Sequence, residues 1–138
     1  MYNGDLEGAR PAEVHRFTDA VRACQGVFIV MPQHNWSLPA VLKNAIDRGS
    51  KPADRNAWRD KPAAITGTSP DAIGTAVGQQ HLRQILGALG ATVRGGEAYI
   101  GGRPGLLDDA GQLDNESVKT VPEADVVRFA AVVGRLVG

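Results

Sequence analysis

The stretch that decides the fold runs from Val27 to Ser50 and reads VFIV, then MPQHNWSLP, then AVLKNAIDRGS. Its first four residues are apolar and β-branched or aromatic, which is typical of a buried strand in a parallel sheet. Pro32 ends this strand because proline has no N–H for the sheet ladder. Apolar residues then recur at helical spacing and predict a helix over Ser37–Ser50, with Ser37 as the N-cap and Pro39 in the first turn.

The segments around this stretch continue the alternation of strands and helices. Alternation of this kind indicates an α/β protein with a parallel sheet, in which ligands bind beyond the carboxyl ends of the strands. Before this stretch, a helix is predicted over Pro11–Cys24, ended by Gly26. After it come a strand over Ala63–Thr66, a loop over Gly67–Gly74, a helix over Thr75–Leu89 closed by Gly90, and one or two strands within Ala91–Ile100. The last helix is predicted from a capping box at Thr120 to about Val137, and the residues expected to face inward are Val126, Phe129, Ala130, Val133 and Val137.

Composition narrows the class of protein. The 138 residues predict a single domain over 1–138, and 15 basic residues balance 15 acidic ones, so neither nucleic acid nor an anionic membrane is the expected partner. No apolar run is long enough to span a bilayer and no leader is evident, so we expect a cytoplasmic protein.

The single cysteine, Cys24, is expected as a buried thiol on a helix face. Trp58 is expected to pack locally at a loop edge, with a ligand role as the alternative.

Two motifs, in order, carry a resemblance to a known family. The first is PQHNWSLPAVLKNAID, beginning at Pro32, and the second is KPAAITGTSP, beginning at Lys61, with Gly74 and then HLRQIL from His81. Together they resemble the NAD(P)H-dependent FMN reductase family, flavodoxin-like flavoproteins that include quinone, azo-dye and chromate reductases. The likeness extends from about Val27 to Ile100, and either motif alone would be weak.

The resemblance implies a flavodoxin-like α/β fold, FMN as cofactor, NAD(P)H as co-substrate, and a small-molecule acceptor such as free flavin or a quinone. No catalytic acid or base is required, because hydride transfer is the chemistry of the cofactor and the protein supplies binding and orientation. In the family, two loops at the ends of adjacent strands hold the isoalloxazine ring, largely through backbone groups. The resemblance transfers this role to Pro32, Gln33, His34, Asn35, Trp36, Gly67, Thr68, Ser69 and Gly74.

A structural role is the alternative for several of these residues. Asn35 is also explained as a turn residue whose side chain bonds its own backbone, and His34 as a loop histidine with no role. Thr68 and Ser69 are also explained as residues that end a strand through local hydrogen bonds. Glycine spacing alone is weak evidence, because the two glycines of the second loop suit turns under either interpretation.

The helix carrying HLRQ, residues 81–84, lies at the subunit interface in the resembled family. A homodimer is therefore implied, with a tetramer as the alternative. Arg83 and Glu97 are candidate interface residues, and a solvated charged face is the alternative. No two histidines have the spacing of a zinc site, so no metal is expected.

The N-terminal region departs from the resembled family. Residues 1–10 are polar and predict a loop, whereas the family has a first strand, a phosphate-binding loop and a helix before the matching segment. The chain is therefore expected to be truncated, with a bare edge on the VFIV strand and weak FMN binding when alone. Two alternatives follow: an inactive remnant that keeps only the dimerising half, and an electron-transfer flavodoxin that does not turn over NAD(P)H.

Overall fold

The computed structural model describes residues 1–70, 72–102, 104–113 and 116–138, with side chains left out for 116–118. Asp71, inside the predicted loop over 67–74, lies outside the described residues. Short 3₁₀ turns occupy Gly4–Ala9, where a loop was expected, and Ala53–Arg55. The main elements are α1 (Ala12–Ala23), β1 (Val27–Val30), α2 (Ala40–Gly49), β2 (Pro62–Ser69), α3 (Ala76–Ala88), β3 (Thr92–Val93), β4 (Ala98–Gly101) and α4 (Glu116–Val137).

The four strands form one parallel sheet with β2 in the middle. Ala63 pairs with Val27 of β1 and with Val93 of β3, so these two strands lie on opposite sides of β2. Thr66 pairs in the same way with β1 and with Ala98 of β4. β3 and β4 therefore behave as one interrupted edge strand, which confirms the predicted parallel sheet and the strand pair within 91–100.

Alternate residues of each strand face opposite sides of the sheet, and the two sides bury different cores. Toward α1, α2 and α3 the buried cluster consists of Val21, Ile29, Met31, Ile46, Ala57, Trp58, Ala63, Ile65, Leu82 and Leu86. Toward α4 the buried cluster consists of Ala64, Phe129 and Val133, with Phe28 partly buried against it. The period-2 alternation of Ala63, Ala64 and Ile65 in β2 divides the strand between these two cores.

Trp58 belongs to the larger core, so its predicted position at a loop edge was wrong. The side chain is 3% exposed, and its indole N–H donates to the carbonyl oxygen of Ile46 at 2.9 Å. The hydrogen bond satisfies the one polar atom of the ring, so a large aromatic group is buried without a desolvated donor.

Two predictions near the end of α1 were also wrong. The helix ends at Ala23 without a left-handed Gly26, whose role is instead close packing: an added Cβ there would lie 2.7 Å from Val133. The thiol of Cys24 is half-buried rather than buried and donates to the carbonyl oxygen of Val21 at 3.2 Å.

β1 is the edge strand of the sheet that the described residues form, and its predicted burial was wrong. Within the described residues it pairs only with β2. Val30, the last residue of the strand, is 70% exposed. An apolar sequence run therefore marks this strand correctly but does not show that both of its faces are covered.

The start of α4 was predicted too late. The helix begins at Glu116, so Thr120 and Pro122 are interior positions and the capping box is wrong. The helix continues through Pro122, whose missing N–H removes one backbone hydrogen bond. Of the residues expected inward, Phe129 and Val133 are buried, whereas Val126, Ala130 and Val137 are exposed.

Charged pairs hold the interruption between β3 and β4. Arg83 donates to the carbonyl oxygens of Val93 at 3.1 Å and Arg94 at 2.7 Å, and also pairs with Glu97. Arg94 pairs at 2.5 Å with Asp125 of α4, whose side chain is fully buried. Arg83 and Glu97, the candidate interface residues, therefore pair with each other at the edge of the chain's own sheet.

No helix within the described ranges is long and apolar enough to cross a membrane.

Candidate functional site

The loop over 31–37 lies at the carboxyl end of β1, beside the upper half of β2. The register places Val30 opposite Thr66, and the next residue, Met31, donates its N–H to the carbonyl oxygen of Thr66 at 3.0 Å. The loop therefore begins in contact with the neighbouring strand. This is the position at which an open parallel sheet binds ligands.

Residues 34–37 form a tight two-residue hairpin. His34 and Ser37 exchange two backbone hydrogen bonds, each 2.9 Å long. The two central residues both adopt positive φ, 46° at Asn35 and 65° at Trp36, which matches a type I′ turn.

This hairpin corrects the predicted start of the following helix. The backbone of Ser37 is engaged in the turn, so it is not the N-cap, and α2 begins at Ala40 with Pro39 in the capping position. The hydroxyl oxygen of Ser37 instead lies 3.3 Å from Nδ1 of His81 on α3.

Two glycines allow the loop to lie close to its neighbours. A Cβ on Gly67 of β2 would lie 1.8 Å from the carbonyl oxygen of Met31. A Cβ on Gly78 of α3 would lie 2.9 Å from the Met31 methyl group and 3.1 Å from the carbonyl oxygen of Ser37. Close backbone approach therefore requires glycine at position 67, and Gly78 leaves only a tight space for a side chain, so the loop is held from two sides.

Gln33 connects the loop to the first turn of α3. Its Oε1 accepts a hydrogen bond of 2.8 Å from the backbone N–H of Gly78. This bond satisfies one of the N–H groups that a helix start leaves without an intrahelical partner. The other amide atom, Nε2, is buried and has no partner among the described residues.

The second predicted loop begins later than expected. Gly67, Thr68 and Ser69 are the last residues of β2, and they pair with Tyr99, Ile100 and Gly101 of β4. Of these three, only Thr68 is exposed. A loop beginning at Gly67 was therefore wrong, because β4 extends the ladder that the short apolar run predicted only as far as Thr66.

Gly74 packs against β4 rather than lying open to solvent. It is buried, its φ is +58°, and an added Cβ would lie 2.9–3.1 Å from backbone atoms of Ile100. The structure thus places residues 32–36 and Thr68 at the carboxyl edge of the sheet, with Thr68 in the ladder beside Ile100 of β4. It places Gly67, Ser69 and Gly74 in the packing behind that edge.

The exposed loop offers backbone donors that suit a flavin ring. The N–H groups of Gln33, Asn35 and Trp36 donate to no described residue. The pyrimidine side of an isoalloxazine ring presents carbonyl oxygens and ring nitrogens, which accept such bonds. The donor set therefore fits the ring of FMN, with Gln33 anchored from behind.

Sequence reasoning missed three residues that position this edge. They are Gly78, Thr75 and Gln79 in or beside the first turn of α3. Gln79 is fully buried, and its Nε2 donates to Thr75 Oγ1 at 2.7 Å and to the carbonyl oxygen of Ala98 at 2.9 Å, which joins α3 to β4. A glycine inside a helical pattern was an available signal, since it usually has a packing reason.

The described titratable residues form no metal site at this edge of the sheet. No group of three or more His, Cys, Asp or Glu residues in the described ranges is arranged to hold a metal ion. A resolved pKa shift occurs away from the loop, where the hydrogen bond from the Tyr2 hydroxyl to Glu7 raises the pKa of that exposed tyrosine.

Comparison with known proteins agrees with this geometry. The sequence model of the family described as NADPH-dependent FMN reductase matches residues 1–104. The chain belongs to the NADPH-dependent FMN reductase family. A quinone reductase of Pseudomonas putida is 42% identical over 133 residues, which cover 95% of this chain and 71% of that relative. A 2-hydroxy-1,4-benzoquinone reductase of Burkholderia sp. is 34% identical and covers 95% of this chain and 72% of its own length.

A solved structure of a flavoenzyme has the same fold as this member of the FMN reductase family. FerB of Paracoccus denitrificans, a flavoenzyme NAD(P)H:(acceptor) oxidoreductase, superposes with a TM-score of 0.89 at 32% identity. The match covers 97% of this chain and 74% of FerB. The expected flavodoxin-like α/β fold is confirmed. So is the expected class of function, an oxidoreductase that uses FMN with NAD(P)H as electron donor.

Proposed function

We propose that this chain passes electrons from NAD(P)H through FMN to free flavin, a quinone or a similar small acceptor. The observation that carries the proposal is the set of unpartnered N–H donors of Gln33, Asn35 and Trp36 at the carboxyl edge of the sheet. The relatives add support, because two of them are named as a quinone reductase and a benzoquinone reductase.

In the proposed mechanism the protein binds and orients, and its side chains transfer no proton. FMN, when bound, supplies the acceptance and release of a hydride or of single electrons. The backbone N–H groups of the loop over 32–36 hold the carbonyl side of the ring. Pro32 and His34, both exposed, border it, and Thr68 borders it from β2. Gly67, Ser69 and Gly74 act from behind, by fixing the ends of β2 and β4.

The hairpin makes this donor set rigid before the ring binds. Its two cross-turn bonds, the Gln33–Gly78 bond and the close contact at Gly67 fix the direction of the N–H groups. Donors that are already oriented need little reorganisation during the reaction, which is where such groups contribute most to rate.

The test is NADPH oxidation by the purified chain with FMN in excess and menadione as acceptor, followed by NADPH absorbance. We expect turnover above the protein-free rate. The Gly67→Ala variant, checked for folding by circular dichroism, should lose most of it, because the new methyl group displaces the Met31 carbonyl. Gly87→Ala is the matched control, since nothing lies within 4 Å of an added Cβ there.

The same assay separates the two alternatives. An inactive remnant would neither bind FMN nor oxidise NADPH. A flavodoxin-like electron carrier would bind FMN and accept electrons from a chemical reductant without oxidising NADPH. Either result contradicts the proposed function.

We further propose that the protein is a single domain, acts as a homodimer and is cytoplasmic. The exposed side chains of Gln80, His81 and Gln84 on α3 leave that helix face open to a second copy. Light scattering after size-exclusion chromatography measures the assembly, and a monomeric mass at working concentration would contradict the dimer. Immunoblots of fractionated cells test the location.

A further inference from the structure

Trp36 occupies a backbone position that a large side chain rarely adopts. Its φ of 65° lies in the left-handed region, directly after Asn35 at 46°. Type I′ hairpins favour asparagine at the first central position and glycine at the second, so Trp36 stands where glycine is preferred. A bulky residue at positive φ is an outlier, and outliers of this kind cluster at functional sites.

The indole is also unusually open for a tryptophan. Trp36 is 63% exposed, whereas Trp58, the other tryptophan of the chain, is 3% exposed. No aromatic ring in the described ranges stacks on Trp36, while Trp58 contacts Phe17 at a centroid distance of 6.3 Å. Packing in the core therefore does not explain why a tryptophan stands at this position.

The base of the turn is held firmly enough to present the ring in a defined place. His34 and Ser37 close the hairpin by two bonds, and Gln33 is fastened to Gly78. A rigid aromatic surface loses little conformational entropy when a flat ligand stacks on it.

We propose that the Trp36 indole is the stacking surface for the planar, electron-poor ring of the oxidising substrate. This inference rests on the proposed function and adds the residue that selects flat acceptors such as quinones. The cofactor ring is assigned to the backbone N–H groups of the same loop. The exposed indole therefore remains for the second ligand, and an electron-rich indole face suits an electron-poor quinone.

The first experiment measures binding without turnover. Tryptophan emission of the wild-type chain is followed during titration with menadione, lumiflavin or ferricyanide, and repeated with Trp36→Phe, in which only buried Trp58 emits. We expect saturable quenching by menadione in the wild type that is absent from the variant. Saturable Trp36 quenching by lumiflavin alone, or by no planar ring, would overturn the proposal.

The second experiment measures acceptor selection with FMN present. Trp36→Asn removes the ring but keeps a residue that tolerates positive φ, and Trp36→Phe keeps an aromatic ring. We expect the KM for menadione to rise about 3- to 10-fold more than the KM for ferricyanide in Trp36→Asn, and less in Trp36→Phe. An equal rise for both acceptors would indicate general damage to the loop and contradict a stacking role.

The two experiments keep this inference separate from the proposed function. If the wild type reduces neither acceptor with NADPH, the proposed function fails, and the fluorescence titration still decides the role of Trp36. If turnover occurs without Trp36-dependent quenching or acceptor selection, the stacking inference fails and the proposed function stands.

Discussion

The two faces of the sheet differ in how completely they are covered. On the α1, α2 and α3 face, the described residues bury a cluster of ten side chains that includes Ile46, Trp58 and Leu86. On the α4 face the described cluster has three, and an open groove of about 390 Å³ lies beside Phe129 and Val133. The edge-to-face contact of Phe28 and Phe129, with centroids 5.6 Å apart, is the main aromatic packing there.

The difference shows which part of the molecule fixes the site. Gly67 and Gly78 hold the loop over 31–37 through contacts made on the well-packed side, where Met31 belongs to the larger core. The α4 side contributes the buried Asp125 and its partner Arg94, which stabilise the interrupted edge at β3 and β4. We therefore expect the loop to tolerate changes on the α4 face better than changes on the opposite face.

Truncation of one core residue on each face includes the largest single loss of stability that we expect. Leu86→Ala should lower the free energy of unfolding by about 3–4 kcal/mol, because truncation of a fully buried side chain leaves a cavity in the core. Phe129→Ala removes more atoms but should lower it by only about 2 kcal/mol, because the adjacent groove already admits solvent. Urea unfolding followed by circular dichroism measures both, and equal losses would contradict the comparison.

Removal of the buried carboxylate tests whether α4 depends on charge rather than on packing. Asp125→Ala should lower the free energy of unfolding by roughly 2–3 kcal/mol, because it leaves Arg94 partly buried without its partner. Arg128→Ala is the control: its guanidinium lies 3.7 Å from the same carboxylate but is mostly exposed, so the loss should stay below about 0.5 kcal/mol. Similar losses for the two variants would show that the pair with Arg94 is not the important one.

Adding one methyl group on each face should change the free energy of unfolding in opposite directions. Gly49→Ala places a Cβ 2.7 Å from the Trp58 indole nitrogen and should lower the free energy of unfolding by about 1–3 kcal/mol. Gly134→Ala has no atom within 4 Å and lies in an exposed helix, so it should raise it by about 0.5–1 kcal/mol. Thermal unfolding midpoints give the two signs directly, and a loss at Gly134 would mean that the α4 face is already filled.

Sequence reasoning predicted the elements well where one periodicity dominated. VFIV and the apolar positions of α3 gave the strand and the helix, and the loop over 32–36 was placed at the correct edge. Sequence reasoning failed where contact with a distant part of the chain decides how far a strand extends or whether a side chain is buried. The extension of β2 through Ser69 depends on β4, and the burial of Trp58 depends on a carbonyl group of α2.

The hairpin at Asn35 and Trp36 was hidden for a different reason. Asn35 supplies only the first half of the Asn-Gly pair that usually signals a type I′ turn, because tryptophan stands in place of glycine. The role of Gln33 was also out of reach, since its partner, Gly78, is 45 residues away along the chain. Backbone strain and long-range polar contacts, rather than pattern, therefore define the site.

The smallest expected effect concerns the phosphate group of the cofactor. Among the described residues, the unpartnered N–H donors of Gln33, Asn35 and Trp36 lie on the loop proposed to hold the flavin ring, so we expect the chain to distinguish weakly between FMN and riboflavin. We expect both to bind weakly and their dissociation constants, from quenching of flavin fluorescence, to agree within about threefold. FMN affinity that is micromolar or tighter, and about 100-fold above that of riboflavin, would place a phosphate site within these residues. The α2 start beside the hairpin, whose cap Pro39 brings no N–H, would then be the segment to re-examine, because a helix N-terminus binds phosphate through its free N–H groups.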